Sequence, residues 1–210
     1  GTRIIPLVIE EEKMQKACEA AGKEPIFQIL PYQKKKAGIV TTGSEVYYHR
    51  IEDKFTPVVI EKLKECGVTE VKQIQCNDDH EMITEAIQTL IEDGSDLIVC
   101  TGGMSVDPDD RTSLAIKNAC TEVVTYGAPV LPGAMFMLAY CEKEGRQIPV
   151  MGLPGCVMYA KRTIFDLVLP RIMCDEKLHE KDFQLLGQGG LCLSCPVCTF
   201  PNCGFGKGGY

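Results

Sequence analysis

What most limits the fold of this chain is a change of hydrophobic period that repeats along it, with its sharpest instance at DLIVC (96–100) followed by TGGMSVDPDDRT (101–112). The first run is short, nearly all apolar and bounded by turn residues, which fits a central parallel strand covered on both faces. A glycine turn and a helix start come directly after it. The same alternation recurs elsewhere. AGIVTTG (37–43) reads as a short buried strand, and Phe55, Val58, Val59, Leu63 and Cys66 mark one face of a helix stopped by Gly67, with Pro57 tolerable only in its first turn. VKQIQC (71–76) reads as a strand, and Ile83, Ala86, Ile87, Leu90 and Ile91 recur at helical spacing. A helix over 112–119 leads to the strand EVVTYG (122–127). AMFMLAYCEKEG (134–145) is expected to be helical, IPVMGL (148–153) a strand, and 157–172 one long helix.

Ahead of these lie two apolar runs, RIIPLVI (3–9) and PIFQILPY (25–32), read as strands on either side of a helix that carries Met14, Ala17, Cys18 and Ala21. They form a β-α-β lead-in over 1–36. The opening Gly-Thr, with no initiator Met, suggests the remnant of a longer N-terminal part. Strands alternating with helices predict a three-layer α/β/α sandwich with a mostly parallel sheet over 37–175, followed by a short Cys-rich C-terminal tail over 176–210.

Composition narrows the function classes. With 210 residues, 45% hydrophobic, and a net charge of −7, the chain suits one sizeable domain with a small appendage. Its Lys and Arg are scattered, so no electrostatic footprint for nucleic acid or an anionic membrane is present, and QKKK (33–36) reads as a solvated loop. No apolar stretch reaches the roughly 20 residues of a membrane helix, and no secretory signal opens the chain, so a cytoplasmic location is expected. P-loop, GxGxxG and GxSxG patterns are missing from the sequence, and His49, His80 and His179 are dispersed.

Ligands of such sheets sit at the carboxyl ends of the strands. Three glycine-bearing turns fall there: TTGSE (41–45), TGGMSVDPDD (101–110) and GLPG (152–155). Gly102 and Gly103 allow close backbone approach, and a helix beginning near Thr112 offers unpaired N–H groups, so an oxyanion or phosphate is expected in that crevice. Asp107, Asp109 and Asp110 repel such an anion unless a divalent ion lies between, and Mg²⁺ is the hard ion that bridges carboxylates to phosphates. The alternative is a helix cap with solvated charge.

In order and spacing, GIVTTGSE, RIEDK, CNDDHEMITEAI, DLIVCTGGMSVDPDDRT, APVLPGAMFMLAY and VMGLPG resemble the molybdopterin-binding domain shared by molybdopterin adenylyltransferases and molybdopterin molybdenumtransferases, over about residues 37–173. The resemblance implies a three-layer α/β/α fold. It also implies binding of molybdopterin, followed either by adenylation with Mg-ATP or by insertion of molybdate into the adenylated form. Insertion is the expected step, because GGxSV and GLPG look like the transferase branch; a non-catalytic cofactor carrier or redox sensor is the alternative from another class.

Carried over by resemblance, Asp110, Asp53 and Glu45 are the catalytic candidates, with Asp110 and Asp53 on Mg²⁺. The cofactor cradle falls on Thr42, Gly43, Ser44, Thr101, Gly102, Gly103, Ser105, Pro132, Gly133, Gly152, Leu153, Pro154 and Gly155. Asp53 reads equally as a helix N-cap. Two departures bear on mechanism: Ala134 stands where the transferases usually carry lysine, and Cys156 where they carry asparagine. Arg111 is a candidate replacement for the missing charge, or a surface ion-pair partner. Cys156 reads as a molybdenum or dithiolene contact or as a small buried residue at a helix start. The resemblance also implies a homo-oligomer, trimer or dimer, and a recipient molybdoenzyme.

Of twelve cysteines, eight are scattered and four crowd the tail: Cys192, Cys195, Cys198 and Cys203 stand at C-x2-C-x2-C-x4-C amid glycines and prolines, with almost nothing that could form a core. Such spacing resembles an iron–sulfur ligand run, suits tetrahedral zinc as well, and is compatible with a flexible thiol tail.

Overall fold

A computed structural model describes residues 7–25, 27–105, 107 and 110–208. The chain divides into two units, Gly1–Pro31 and Tyr32–Tyr210. In the first, α1 (Glu11–Ala21) forms as the spacing predicts and ends at Gly22, yet it buries none of its residues. The expected strand over 3–9 lies mostly outside the described residues, and Leu7 to Ile9 are not in a strand. No strand forms among the described residues of 25–32 either, which corrects the β-α-β reading of this lead-in. An apolar run becomes a strand only when a neighbour takes its backbone N–H and C=O groups, and among the described residues neither run contributes a strand to a sheet.

The second unit is built on one sheet. Its strands are β1 (Lys36–Thr42), β2 (Glu70–Cys76), β3 (Leu97–Thr101), β4 (Glu122–Tyr126), β5 (Met137–Lys143) and β6 (Arg146–Leu153), in the order β2-β1-β3-β6-β5-β4. Pairing is parallel from β2 through β6, and β5 alone runs against both its neighbours. Around the sheet lie α2 (Ser44–Tyr47), α3 (Phe55–Glu65), α4 (His80–Glu92), α5 (Thr112–Ala119), α6 (Ile164–Met173) and α7 (Glu180–Leu185). The three-layer, mostly parallel α/β/α reading holds.

Because strand side chains alternate faces, each central strand feeds two cores. Ile39, Leu97, Val99 and Met151 pack with Val59 and Leu63 of α3 and Phe165 and Leu169 of α6. Val40, Ile98, Cys100 and Val150 pack with Ile83, Ile87 and Leu90 of α4 and Ile116 of α5. Asp79 starts α4 by accepting from the N–H groups of Glu81 and Met82, which holds its carboxyl below the usual range.

Two helical expectations are corrected. Residues 134–145 are not helical: the apolar run becomes β5, paired with β6 in register Lys143↔Arg146. The two residues between, Glu144 and Gly145, have φ of 52° and 76°, the paired positive φ of a type I′ hairpin turn. A continuous apolar run carries no period, so length and turn chemistry had to decide, and the Glu-Gly turn decides for a hairpin. The single helix over 157–172 is instead a 3₁₀ turn, Gly155–Met158, and then α6. Thr163 is extended (φ −143°, ψ −179°) and forms a capping box with Asp166, which starts a new helix and ends the old one.

The tail also departs from expectation. Phe205 is 4% exposed within the first core, with Cys192, Phe200 and Cys203 packed beside it. Leu131 N–H donates to Gly190 O at 2.7 Å and Cys192 N–H to Leu131 O at 2.8 Å, so the tail is hydrogen-bonded to the loop before β5. Among the described residues no helix is long and apolar enough to cross a membrane.

Candidate functional site

Strand register sets the site. Thr41 pairs with Thr101 and Thr101 with Leu153, so β1, β3 and β6 end side by side and their glycine turns leave the sheet together. Thr42 Oγ1 donates to Thr101 O at 3.0 Å and lies 3.1 Å from Thr112 Oγ1. Gly102 and Gly103 sit in this threonine clamp with φ of 87° and 55°. A Cβ on Gly102 would stand 2.5 Å from Thr42 O, and one on Gly103 2.5 Å from Thr112 Oγ1. Only glycine fits both the positive φ and the space.

Immediately beyond, α5 begins at Thr112 with no side-chain cap from Arg111, and its first N–H groups carry the positive end of the helix dipole. Thr101 Oγ1, on a residue 1% exposed, has no hydrogen-bond partner. An orphaned buried hydroxyl costs about 1–3 kcal/mol, a deficit that a bound polar group relieves.

The aspartates of the loop have a local task. Asp110 Oδ2 accepts from Ser105 N–H at 2.6 Å, and Ser105 Oγ accepts from Asp107 N–H at 3.2 Å. Asp110 N–H donates to Asp107 O at 3.1 Å, closing the turn. Asp109 lies outside the described residues. From β4, Tyr126 donates its hydroxyl to Ser105 O at 3.3 Å, and the Lys117 ammonium lies 5.7 Å from the Tyr126 ring centre.

Beside the loop opens a cavity of about 550 Å³, lined by Met104 and Ser105, the turn from Leu131 to Met135, the Pro154–Cys156 turn, and Leu191 and Cys192 of the tail. Its size is that of a small-ligand site. The lining contains no charged residue but four sulfur atoms, on Met104, Met135, Cys156 and Cys192. Burial raises the Cys156 thiol above its ordinary range, partly offset by the N–H groups of Cys156 and Val157.

Of the sequence candidates, Ser105, Pro132, Gly133, Pro154 and Gly155 line this cavity. Thr42, Thr101, Gly102 and Gly103 form the adjoining clamp. Gly152 and Leu153 lie beneath: Leu153 is fully buried, and Met104 Cε covers Gly152, 2.6 Å from where a Cβ would be. Gly43 precedes α2, Ser44 N–H donates to Asp78 at 2.9 Å, and Glu45 is exposed. Asp53 takes up the capping role: its Oδ1 accepts from Phe55 and Thr56 N–H at 2.9 and 3.0 Å, and Oδ2 from Gln73 at 3.1 Å. Gln73 also donates to Thr41, whose side chain lies on the opposite sheet face from Thr42. Among the described residues no group of three or more His, Cys, Asp or Glu side chains is placed to hold a metal ion. Sequence reasoning missed Met104, Met135, Leu131 and Leu191 as cavity walls; a methionine or leucine carries no signature that separates wall from core. Ala134 and Cys156, the two departures, both face the cavity.

Comparison with known proteins agrees with this geometry. Residues 38–173 match a family described as "probable molybdopterin binding domain". A CinA-like protein of Mycobacterium sp. (strain MCS) is 35% identical over 85 residues, 40% of this chain and 20% of the relative. Another, of Mycobacterium avium (strain 104), is 34% identical over 95 residues, 45% of this chain and 22% of the relative. The chain thus spans about a fifth of the length of these curated relatives. Among solved structures, a tungsten cofactor synthesizing protein MoaB from Pyrococcus furiosus superposes with a TM-score of 0.51 at 22% identity, over 60% of this chain and 84% of that one. A molybdopterin biosynthesis protein from Mycobacterium abscessus gives 0.54 at 17% identity, over 67% and 92%. At these identities the structures speak for the fold alone, while the family match covers more than half of the chain. The chain belongs to the family of molybdopterin-binding domains of the molybdenum-cofactor-biosynthesis type.

Proposed function

We propose that this domain binds molybdopterin across the ends of β3 and β6 and inserts molybdate into its adenylated form. One observation supports the reading: a neutral cavity lined by sulfur-bearing residues lies beside the loop that leads into α5, whose N-cap residue Arg111 gives it no side-chain cap. The pterin and dithiolene occupy the cavity, where apolar walls and polarisable sulfurs suit them. The phosphate lies outside it, on the N–H groups of α5 and the Gly102–Gly103 turn. Mg²⁺, which binds through one or two carboxylates plus substrate phosphates and water, supplies charge neutralisation there. Asp110 is the carboxylate assigned to it, at half-buried depth and tied to Ser105. Asp53 sets the start of α3, and Glu45 is exposed in α2. During the reaction the phosphoanhydride is hydrolysed and AMP leaves. Molybdate gives up oxygen as water when the two dithiolene sulfurs bind.

A second reading, binding without turnover, draws support from the lack of any Lys or Arg in the cavity lining, since Ala134 removes the charge that would stabilise a developing oxyanion. The two are separated by anaerobic incubation with adenylated molybdopterin, Mg²⁺ and molybdate, following AMP release. Insertion predicts molybdate-dependent release that Asp110→Asn abolishes, while pterin binding persists. Tight binding with no release from either protein refutes insertion and leaves the carrier. Pyrophosphate release from Mg-ATP that depends on molybdopterin would assign adenylyl transfer instead.

A further inference from the structure

We propose that the tail holds a polynuclear iron–sulfur cluster, ligated by Cys192, Cys195, Cys198 and Cys203 around a cavity separate from the pterin pocket. All four thiols line one space of about 380 Å³, and none is in a disulfide. Yet no three of them stand close enough together to hold one ion. A tetrahedral zinc site, with Zn–S near 2.3 Å, draws its sulfurs to within roughly 4 Å of one another. A cluster places its own irons and sulfides between the ligands, so four cysteines surround a void rather than a point. In the tail the four cysteines line one space and do not converge on a single point.

Its surroundings match the charge of the occupant. Four thiolates leave a cluster net negative, and Lys161 and Arg162 line the same cavity. Arg162 is held from behind by Asp166 at 2.8 Å, and its guanidinium carbon lies 5.0 Å from the Phe200 ring centre. An arginine guanidinium keeps its charge throughout the range in which proteins are folded.

The tail is held to the domain by contacts of its own chain. Cys192 is bonded to Leu131, Gly206 N–H donates to Gly189 O at 2.8 Å, and Phe205 is anchored in the core. A Cβ on Gly190 would stand 2.0 Å from Pro129 O, so the wrap lies directly on the loop before β5. Both ends of the ligand run are thus fixed, while Cys195 and Cys198 between them are exposed, with Cys198 hydrogen-bonded to Arg162. Leu191 and Cys192 line this cavity and the pterin pocket alike, so the two share a wall. The cluster itself does not depend on the pterin reading.

The test is anaerobic reconstitution of the full chain with ferrous iron and sulfide, with zinc alone in parallel. About four irons and about four acid-labile sulfides per chain are expected, with broad visible absorption bleached by dithionite and an electron paramagnetic resonance signal in the reduced state. Cys195→Ser and Cys198→Ser should lose the cluster with unchanged circular dichroism, since both residues are exposed; Cys18→Ser, on α1, should keep it. Stoichiometric zinc that iron and sulfide cannot replace overturns the proposal, as does a chain that takes up neither metal, or equal loss in the Cys18 variant. No pterin is added, so failure here leaves the reading of the other cavity standing.

Discussion

Asp166→Ala removes the anion on which three elements converge. Asp166 Oδ1 accepts from Lys62 Nζ of α3 at 2.6 Å and from Arg162 at 2.8 Å, and Oδ2 accepts from Thr163 N–H at 2.8 Å. The Lys62 and Asp166 side chains are 11% and 4% exposed. Without the carboxylate, a buried ammonium keeps only Lys161 O, 3.2 Å away, and sits beside a guanidinium. Breaking a buried pair in this way costs about 3–5 kcal/mol. The lost half of the α6 capping box, the bond from Thr163 N–H to Asp166 with Thr163 still in place as N-cap, adds about 0.5–1.5 kcal/mol if taken separately. Both charges and the cap share one side chain, so these do not simply add, and about 4 kcal/mol is expected, a large part of the roughly 5–15 kcal/mol that holds a domain folded. Asp166→Asn keeps an acceptor for Thr163 and loses the charge, so about half that loss is expected. Lys62→Met added to Asp166→Asn should recover stability, because no buried charge is then unpaired. Urea unfolding followed by circular dichroism measures all three. An Asp166→Ala loss below about 1 kcal/mol, or no recovery in the double variant, refutes the assignment of a buried charge at this junction.

Gly102→Ala must hold a Cβ 2.5 Å from Thr42 O at a φ of 87°; about 2–4 kcal/mol of stability should go, read by denaturant unfolding, and pterin affinity should fall with it. Met104→Ala uncovers Gly152 and widens the pocket, with an expected loss of about 2 kcal/mol in the same assay. Cys76, 1% exposed, has its thiol pushed from 9.0 up to about 11 by burial. The unfolded chain therefore gives up this proton first, the native state binds more protons between those values, and stability falls as pH rises through them by on the order of 2 kcal/mol. Cys76→Ala should flatten that slope in unfolding experiments run across the window; an unchanged slope refutes the assignment. Because burial raises the Cys156 thiol, its alkylation by iodoacetamide at mildly alkaline pH should lag that of a small free thiol, measured by mass spectrometry of the modified peptide.

Local rules located most elements. Helix α5 occupies Thr112–Ala119 as its spacing predicts, and β1, β2, β4 and β6 fall within two residues of their expected bounds at each end. The failures share a cause. In 137–143 every residue up to Cys141 is apolar and buried, so no period distinguishes strand from helix, and the Glu-Gly turn that decides it is two residues long. The lead-in run 25–32 has strand composition but, among its described residues, no ladder partner, and composition cannot supply one. At the site, the glycine pair and the α5 start were legible because positive φ and helix ends depend on neighbours in sequence.

By itself, then, the sequence determined what short range can determine: the alternation of strand and helix, the glycine turns at the carboxyl ends of β1, β3 and β6, and the family that their order identifies. Tertiary structure decided what depends on residues distant along the chain. It turned Asp53 into a cap of α3 linked to β2, bound Asp110 into the shape of its own loop, and laid Met104 over Gly152. It joined Lys62 to Asp166 across 104 residues and brought Cys192 into the walls of two cavities. Propensity acts within a few residues, whereas a buried charge, a cavity wall or a ligand void exists only once packing has removed the water between segments.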